Sequence, residues 1–244
     1  MTTTDPTAYE TAVAAHLHGV AEHNAASVAE VADLLLACVR ADGMVLTAGA
    51  GHSLAAVAET FYRAGGLACV RPLYHPDLLP MHGAVSSTKA ERRSGLAADV
   101  LGPEPLGERD VLVVFSTSGV NPYPVELAGL VRAAGRSAVA VTSGPASAVA
   151  PRRSTSTLAE QASVVLDTLV PPGDSTYPPD APVAAPISTV VNAFLWNLVL
   201  VRLIDVSAKE GVALPLWRSS NVPGGDEANA SLMSRYTPRV PALG

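Results

Sequence analysis

The feature that most constrains this chain is a series of short apolar runs, two of which are closed by small residues and followed at once by a helical stretch. The runs lie at 43–48, 67–70, 110–115, 137–142 and 163–166. Strand–helix–strand units of this kind pair their strands in parallel through right-handed crossovers. The order therefore predicts an α/β protein with three layers, in which helices cover a doubly wound, mostly parallel five-stranded sheet.

Helical periodicity extends this plan to both ends of the chain. The spacing of apolar residues predicts one long helix or two over 7–41, further helices over 54–64, 122–134 and 183–209, and a helix somewhere within 86–101. No linker composition and no internal repeat divides the sequence. We expect one domain over 1–244, with a core at about 40–215, an N-terminal helical segment at 7–41 and a tail at 215–244.

Composition and charge disfavour several classes of partner. The formal net charge is −6 and the basic residues form no stripe, which argues against binding to nucleic acid. The N-terminus has no secretory pattern, and polar residues interrupt the longest apolar run, 190–204, so that we expect no membrane span. These features predict a cytoplasmic protein without a nucleic-acid or membrane partner.

Cysteine and histidine placement gives no sign of a metal or cofactor site. Cys38 and Cys69 form no CxxC pair, and two buried thiols are favoured over the one disulfide that they could form. His16 and His18 lie on different faces of the first helix, and His75 and His82 are not a helical pair. We expect neither a metal nor a cofactor.

The first glycine-rich turn, 47–53, joins a predicted strand to a helix. Gly49 and Gly51 allow close approach of the backbone to a ligand, Ser53 adds a hydroxyl, and the helix N-terminus attracts an anion. Alone, such a turn is equally compatible with a plain connection. The dinucleotide fingerprint GxGxxG fails because Leu54 occupies the place of its last glycine, and the pattern GxxxxGK[ST] is absent.

A second turn of related type makes the first more specific. Ser116, Thr117, Ser118 and Gly119 follow another apolar strand and precede a helix, and Asn121 stands at the helix start. Parallel strands bring such turns to one edge of the sheet, where open α/β sheets bind ligands. The pair predicts a cradle for one phosphate group.

These turns, together with the segments 49–66, 110–121, 138–143 and 221–229, resemble the SIS (sugar isomerase) family of phosphosugar-binding domains. The chain is most similar to stand-alone members related to phosphoheptose isomerase and N-acetylmuramic acid 6-phosphate etherase. The resemblance implies a flavodoxin-like sheet, a phosphorylated sugar as ligand, and a homodimer or homotetramer. It departs from the family pattern at His52, where the family has Thr or Gly, and at Asn121, where it has Thr or Ser.

The resemblance also assigns expected roles to residues of the two turns. It implies that the phosphate is bound by residues of the second turn, with Gly51 and Ser53 as phosphate or sugar contacts; the second-turn residues are Ser116, Thr117, Ser118 and Asn121. His52 becomes a candidate sugar contact or proton carrier.

Acid–base chemistry needs a carboxylate or imidazole near the bound sugar. The candidates are Glu59, Glu91, His52 and His82. Glu91 lies in a stretch, 87–95, that resembles the etherase segment carrying an acid–base Glu. The competing interpretations are an i, i+4 ion pair between Glu59 and Arg63 and a solvated helix face for Glu91. For His75 and His82 the alternative is a surface or capping role.

Three functional hypotheses remain open from the sequence. The first is an enzyme that removes the C2 proton of an amino-sugar 6-phosphate resembling N-acetylglucosamine 6-phosphate, as a dehydratase (lyase) or an isomerase. The second is a non-catalytic phosphosugar sensor that acts through a protein partner. The third, a nucleotide-binding protein of generic doubly wound fold, is disfavoured by the failed fingerprint.

Overall fold

The computed structural model describes residues 6–244. The strands are β1 Val45–Gly49, β2 Val70–Leu73, β3 Val111–Phe115, β4 Ser137–Thr142, β5 Val164–Asp167, β6 Ser175–Tyr177 and β7 Ala184–Pro186. The helices are α1 Pro6–His23, α2 Ala25–Arg40, α3 Leu54–Thr60, α4 Ala84–Ala90, α5 Leu96–Leu101, α6 Pro122–Ala133, α7 Gly144–Val149, α8 Leu158–Gln161, α9 Ser188–Lys209 and α10 Gly225–Tyr236.

The main sheet has the strand order β2-β1-β3-β4-β5, and all of its pairings are parallel. Every residue of β1 and β3 is buried, which explains why these strands are continuous apolar runs instead of alternating ones. Helices α2, α3 and α9 pack together as one group, and α5, α6 and α8 as another. The predicted α/β fold with a five-stranded parallel sheet flanked by helices is confirmed.

The strand order creates a switch point between β1 and β3. From β1 the chain crosses to β2 on one side, whereas β3 pairs with the other side of β1. The register places Gly49 opposite Phe115, so the turns that follow the two strands begin side by side. Ligands of doubly wound sheets bind in the crevice at such a point.

Three predicted boundaries were wrong, and pairing with another segment of the chain accounts for each. Helix α3 ends at Thr60, four residues before the predicted end. The strand predicted at 67–70 begins only at Val70, as β2, because Leu67 forms an antiparallel bridge with Leu216. The segment 86–101, which was predicted to contain a helix, holds most of α4 and all of α5, and Gly95 at φ 89° lies between them. The last long helix begins at Ser188 instead of 183, because β7 pairs with β6 just before it.

The N-terminal helical segment is two helices that meet at the buried Asn24. The amide nitrogen of Asn24 donates to the carbonyls of Val20 and Asp167, and its Oδ1 accepts the N–H of Asp167. One side chain therefore satisfies backbone groups of both α1 and the end of β5, and fixes the first helices against the sheet.

Helix α9 is the one helix within residues 6–244 that is long and apolar enough, by length and composition, to cross a membrane. Of its most apolar window, 44% is buried inside the molecule. Val191, Leu195 and Leu203 are fully buried on the face that packs against α2. Core helices of soluble proteins meet the same criteria, so α9 is weak evidence for a membrane span.

Both cysteines are free and buried thiols. Burial raises the pKa of Cys69 to about 12, and it raises the pKa of Cys38 further still. Thiols held in the protonated form are poor nucleophiles, so the interpretation as buried apolar residues agrees with the structure.

Candidate functional site

A cavity of about 480 Å³ lies at the carboxyl ends of the strands. Its walls come from the turns after β1 and β3, from α7 after β4, and from the segment after β5. Both predicted turns therefore face the same space. The cavity brings together seven of the ten residues singled out from the sequence: His52, Ser53, Glu91, Ser116, Thr117, Ser118 and Asn121.

The first turn is shaped by its two glycines. A Cβ on Gly49 would lie 3.0 Å from backbone atoms of Ser53, so the tight return of the chain requires the absence of a side chain. Gly51 has φ 59°, in the left-handed region that favours glycine. The Ser53 N–H donates to the Ala50 carbonyl over 3.1 Å and closes the turn immediately before α3.

The second turn is held by contacts to β4 and α8. Gly119 has φ 60°, and its N–H donates to the Ser116 Oγ over 3.3 Å. The Thr117 carbonyl accepts the Ser143 N–H over 2.9 Å, and the Gly119 carbonyl accepts the Leu158 N–H over 2.7 Å. These hydrogen bonds fix the backbone of the second turn, so the hydroxyl groups of Ser116, Thr117 and Ser118 are held on a rigid support.

Three hydroxyls of the cavity are free to bind a ligand. Within residues 6–244, the hydroxyls of Ser53, Thr117 and Ser118 make no hydrogen bond to the protein. The second turn also precedes the N-terminus of α6, where backbone N–H groups and the helix dipole favour an anion. Uncharged donors of this kind can surround a phosphate group without a lysine.

Asn121 lies at the start of α6 and lines the cavity. It occupies the N-cap position, but its side chain makes no capping hydrogen bond. Its Oδ1 instead accepts a hydrogen bond from the Arg153 guanidinium over 3.1 Å. Arg153 therefore uses the side-chain oxygen of Asn121, and the amide nitrogen of Asn121 is the group available to a ligand.

Glu91 lies at the end of α4 and lines the cavity. It is partly buried, and its carboxylate forms no hydrogen bond within the described chain. Desolvation by burial raises its pKa above the ordinary value, and nearby Arg92 and Arg153 oppose this shift in part. A carboxyl group with a raised pKa beside free hydroxyls can exchange protons with a bound sugar.

The other predicted acid–base groups are placed differently. Glu59 pairs with Arg63 on the next turn of the chain and does not line the cavity. His82 is exposed at the end of a short turn and also lies outside the cavity. His75 accepts a hydrogen bond from the Asp77 N–H, in the capping role expected for a surface histidine. Of the predicted proton carriers, the structure brings together Glu91 and His52.

Gly51 borders a second space, not the 480 Å³ cavity. This neighbouring apolar cavity shares His52 with the first one. The backbone of Gly51 therefore shapes the turn between the two spaces, and a direct contact with a phosphate in the first cavity is not supported by its position.

Sequence reasoning missed Asp174 and Ser188, which line the opposite wall. The Asp174 carboxylate accepts the backbone N–H and the hydroxyl of Ser188, over 2.8 and 2.6 Å, and so caps α9. Asp174 itself has φ 63°, an uncommon conformation outside glycine. A Gly-Asp pair in the proline-rich stretch before a long helix was the available signal for a cap.

Within residues 6–244, no group of three or more His, Cys, Asp or Glu side chains is arranged to hold a metal ion. The polar side chains that line the cavity carry hydroxyls, one amide, one imidazole and two carboxylates. Such a set can bind an anionic ester and move protons.

The fold and the cavity define a class of protein with two hydroxyl-bearing turns at the switch point of a doubly wound sheet. Residues 8–143, more than half of the chain, match the SIS domain family. The chain belongs to this family, as the resemblance of its turns predicted.

Relatives extend the similarity over nearly the whole chain. The UPF0309 protein GK1441 of Geobacillus kaustophilus is 34% identical over 232 residues, covering 93% of this chain and 92% of the relative. The UPF0309 protein BCAN_B0929 of Brucella canis is 38% identical over 233 residues, covering 95% and 96%.

Solved structures with a similar chain path include two phosphoheptose isomerases. That of Francisella tularensis has a TM-score of 0.49 at 18% identity, covering 86% of this chain and 100% of its own. That of Neisseria gonorrhoeae has a TM-score of 0.49 at 17% identity, covering 83% and 96%.

Proposed function

We propose that this SIS-domain protein is an enzyme that binds an amino-sugar 6-phosphate and removes its C2 proton, as a dehydratase (lyase) or an isomerase. The observation that carries the proposal is one cavity that holds the free hydroxyls of both turns and the partly buried carboxyl group of Glu91. The turns would hold the phosphate, and the sugar would extend toward Glu91.

The phosphate contacts in this proposal are Ser53, Ser116, Ser118 and the amide nitrogen of Asn121, with Thr117 next to them. Hydroxyl and amide donors keep their geometry on the rigid turns, so they can fix the sugar without rearrangement. Binding energy from the phosphate then positions the reacting carbons, which are several bonds away.

In the proton transfer, the ionised carboxylate of Glu91 takes the proton from C2 of the open-chain sugar, and the electrons form a C1–C2 enolate that keeps the nitrogen on C2. In an isomerase a proton is returned to C1 and the C1 oxygen is protonated, while the C2 nitrogen loses its proton to give a C2 imine. In a dehydratase the C3 hydroxyl leaves with a proton as water. His52, exposed at the cavity edge, is the candidate to carry the proton between oxygens.

The choice of an amino sugar rests on the segment around Glu91, which resembles the etherase segment with an acid–base Glu. The turns also resemble those of phosphoheptose isomerase, so a heptose phosphate or another neutral sugar phosphate is the nearest alternative substrate class. A panel of sugar phosphates separates these possibilities.

The test is incubation of the purified protein with aminosugar and neutral sugar phosphates, followed by mass spectrometry and NMR in deuterated water. Loss of water identifies a dehydratase, and deuterium at C1 or C2 without loss of water identifies an isomerase. Glu91→Gln is expected to lower turnover by about 100-fold or more while binding is retained. If Glu59→Gln abolished turnover and Glu91→Gln did not, the assignment of the base would be overturned.

Melting temperatures measured with the same panel of sugar phosphates distinguish the sensor hypothesis from the enzyme hypothesis. A sugar phosphate that raises the melting temperature, while no isotope exchange or product forms with any member of the panel, would support a sensor and contradict the enzyme. Stabilisation by nucleotides alone would contradict both.

We also propose that the protein is a cytoplasmic homodimer or homotetramer. Val190, Val201 and Ile204 are 43%, 58% and 46% exposed on one side of α9. Their spacing, with Asn197 between them, repeats at helical intervals and forms an apolar face that the single chain leaves in water. A second copy of the chain would cover it.

A further inference from the structure

The second cavity beside the proposed phosphate site has an apolar wall. It measures about 570 Å³ and lies between the outer face of α3 and the segment after β2. Helix α3 contributes Leu54, Ala55, Val57 and Ala58 at helical spacing, with Phe61 directly after the helix. A cavity of this volume is within the range of small-molecule sites, about 300–1,000 Å³.

The opposite wall comes from β2 and the residues that follow it. Pro72, Tyr74, Leu79 and Met81 line it, and the last two belong to the proline-broken stretch before α4. Met81 is 85% exposed, which is a large exposure for an apolar side chain, and the aromatic ring of Tyr74 is 47% exposed. Water in contact with such a wall is displaced favourably by an apolar group.

The apolar cavity and the 480 Å³ cavity with the two hydroxyl turns meet at His52, which lines both. Gly51, immediately before it, borders the apolar cavity, whereas Ser53, immediately after it, borders the 480 Å³ cavity. A ligand held by the hydroxyl turns therefore has the second cavity directly across one exposed side chain. Among the described residues that line the apolar cavity, only His52 and Tyr74 carry a polar side-chain group.

We propose that the apolar cavity is a substrate subsite, which binds an apolar substituent of the sugar phosphate held in the neighbouring cavity. An acyl group on the amino nitrogen is the chemical class that fits, because an amide oxygen could accept a hydrogen bond from His52 while the alkyl part enters the apolar wall. This inference rests on the proposed function and specifies the substrate class more closely.

The test is a calorimetric titration with glucosamine 6-phosphate and its N-acetyl, N-butanoyl and N-hexanoyl derivatives. Affinity is expected to rise by up to about fourfold for each added methylene that is buried. An affinity that is unchanged or falls along the series would overturn the subsite.

A cavity-filling variant makes the test specific. Ala58 is exposed on α3 and lines the apolar cavity, so Ala58→Phe fills the space without entering the core. The variant is expected to bind glucosamine 6-phosphate as the parent does and to lose the gain from longer acyl groups. Ala98→Phe, at an exposed position of α5, is the matched control and should keep that gain.

The outcomes distinguish this inference from the proposed function. If no sugar phosphate bound at all, the proposed function would fail together with the subsite. If glucosamine 6-phosphate bound but chain length had no effect, the subsite alone would fail. If Ala58→Phe lowered the oligomeric mass in solution and chain length had no effect, the cavity would be an interface for a second copy, which would also overturn the subsite.

Discussion

At the residue scale, the account depends on how burial changes the acid–base properties of Glu91. Desolvation raises its pKa above the ordinary value, and no hydrogen bond within residues 6–244 compensates the charged carboxylate. Ionisation is therefore harder in the folded chain than in the unfolded one. Stability contributed by the protonated carboxyl is fully present below the unfolded pKa and is lost as the pH rises through the folded pKa.

The raised pKa of Glu91 predicts how the stability of a Glu91→Gln variant changes with pH. Glu91→Gln removes a group whose ionisation destabilises the folded chain, so the melting temperature of the variant should rise relative to the parent between about pH 4 and about pH 8. Scanning calorimetry at both pH values measures the difference. A relative gain at the acidic end instead would contradict burial as the cause of the raised pKa.

Glu91 and Glu59 illustrate what could be predicted from the sequence at this scale. Both were candidates, Glu59 because it is the one acid of the helix predicted after the first turn, and Glu91 because its segment resembles an etherase segment with an acid–base Glu. The choice between them depends on which carboxylate lines the cavity and which forms an ion pair, and both depend on the tertiary structure. The ion pair of Glu59 with Arg63 was one of the alternatives that the i, i+4 spacing offered.

At the element scale, the second turn is rigid because Gly119 sits against two other elements. A Cβ at this position would lie 2.8 Å from the Thr142 Oγ1 and 3.2 Å from the Leu158 Cβ. The residue also has φ 60°, which strains any side chain. The close packing and the backbone conformation both require glycine.

We predict that Gly119→Ala lowers the free energy of unfolding by about 1–3 kcal/mol and weakens binding of the sugar phosphate. Gly135→Ala is the matched control, because Gly135 has φ 75° with nothing within 4 Å of an added Cβ. It should cost only about 1 kcal/mol and leave binding unchanged. Equal effects of the two variants on stability and binding would contradict the packing argument.

The elements themselves were predictable to different degrees. The buried strands were found because burial on both faces requires continuous apolar runs, and β4 was predicted with its observed bounds. The end of α3 was not, because the chain turns extended at Phe61 so that 65–68 can bond to 215–217. Contacts between residues so distant in the chain leave no local pattern.

The opposite wall of the candidate site shows the same limit. Asp174 reaches the cavity because it caps α9 from a segment that follows β5, and its hydrogen bonds to Ser188 exist only in the folded chain. The two hydroxyl turns were predictable because strand, turn and helix are consecutive in sequence. Residues recruited from separate segments were not.

At the scale of the whole molecule, the exposed apolar face of α9 is the feature on which the proposed assembly depends. Its buried face already packs against α2, so the helix is apolar on two sides. The 58% exposed Val201 lies near the middle of the outward face. Covering it would remove apolar surface from water and stabilise an assembly.

Val201→Glu is therefore expected to lower the molecular mass measured by light scattering from that of an oligomer to that of a monomer. Val85→Glu, at a helical position that is 69% exposed, is the control and should keep the assembly. A parent protein that is already monomeric at micromolar concentration would contradict the assignment of this face to a second copy.

The most direct test of the central claim, that the two turns hold a phosphate group, is calorimetric binding of glucosamine 6-phosphate and of glucosamine. The parent is expected to bind only the phosphorylated sugar. Ser118→Ala should weaken that binding by about tenfold or more, as loss of a hydrogen bond to a charged group does. Ser231→Ala, at an exposed position of α10, should leave it unchanged. Equal affinity for the two sugars, or an unaffected Ser118→Ala, would contradict the account.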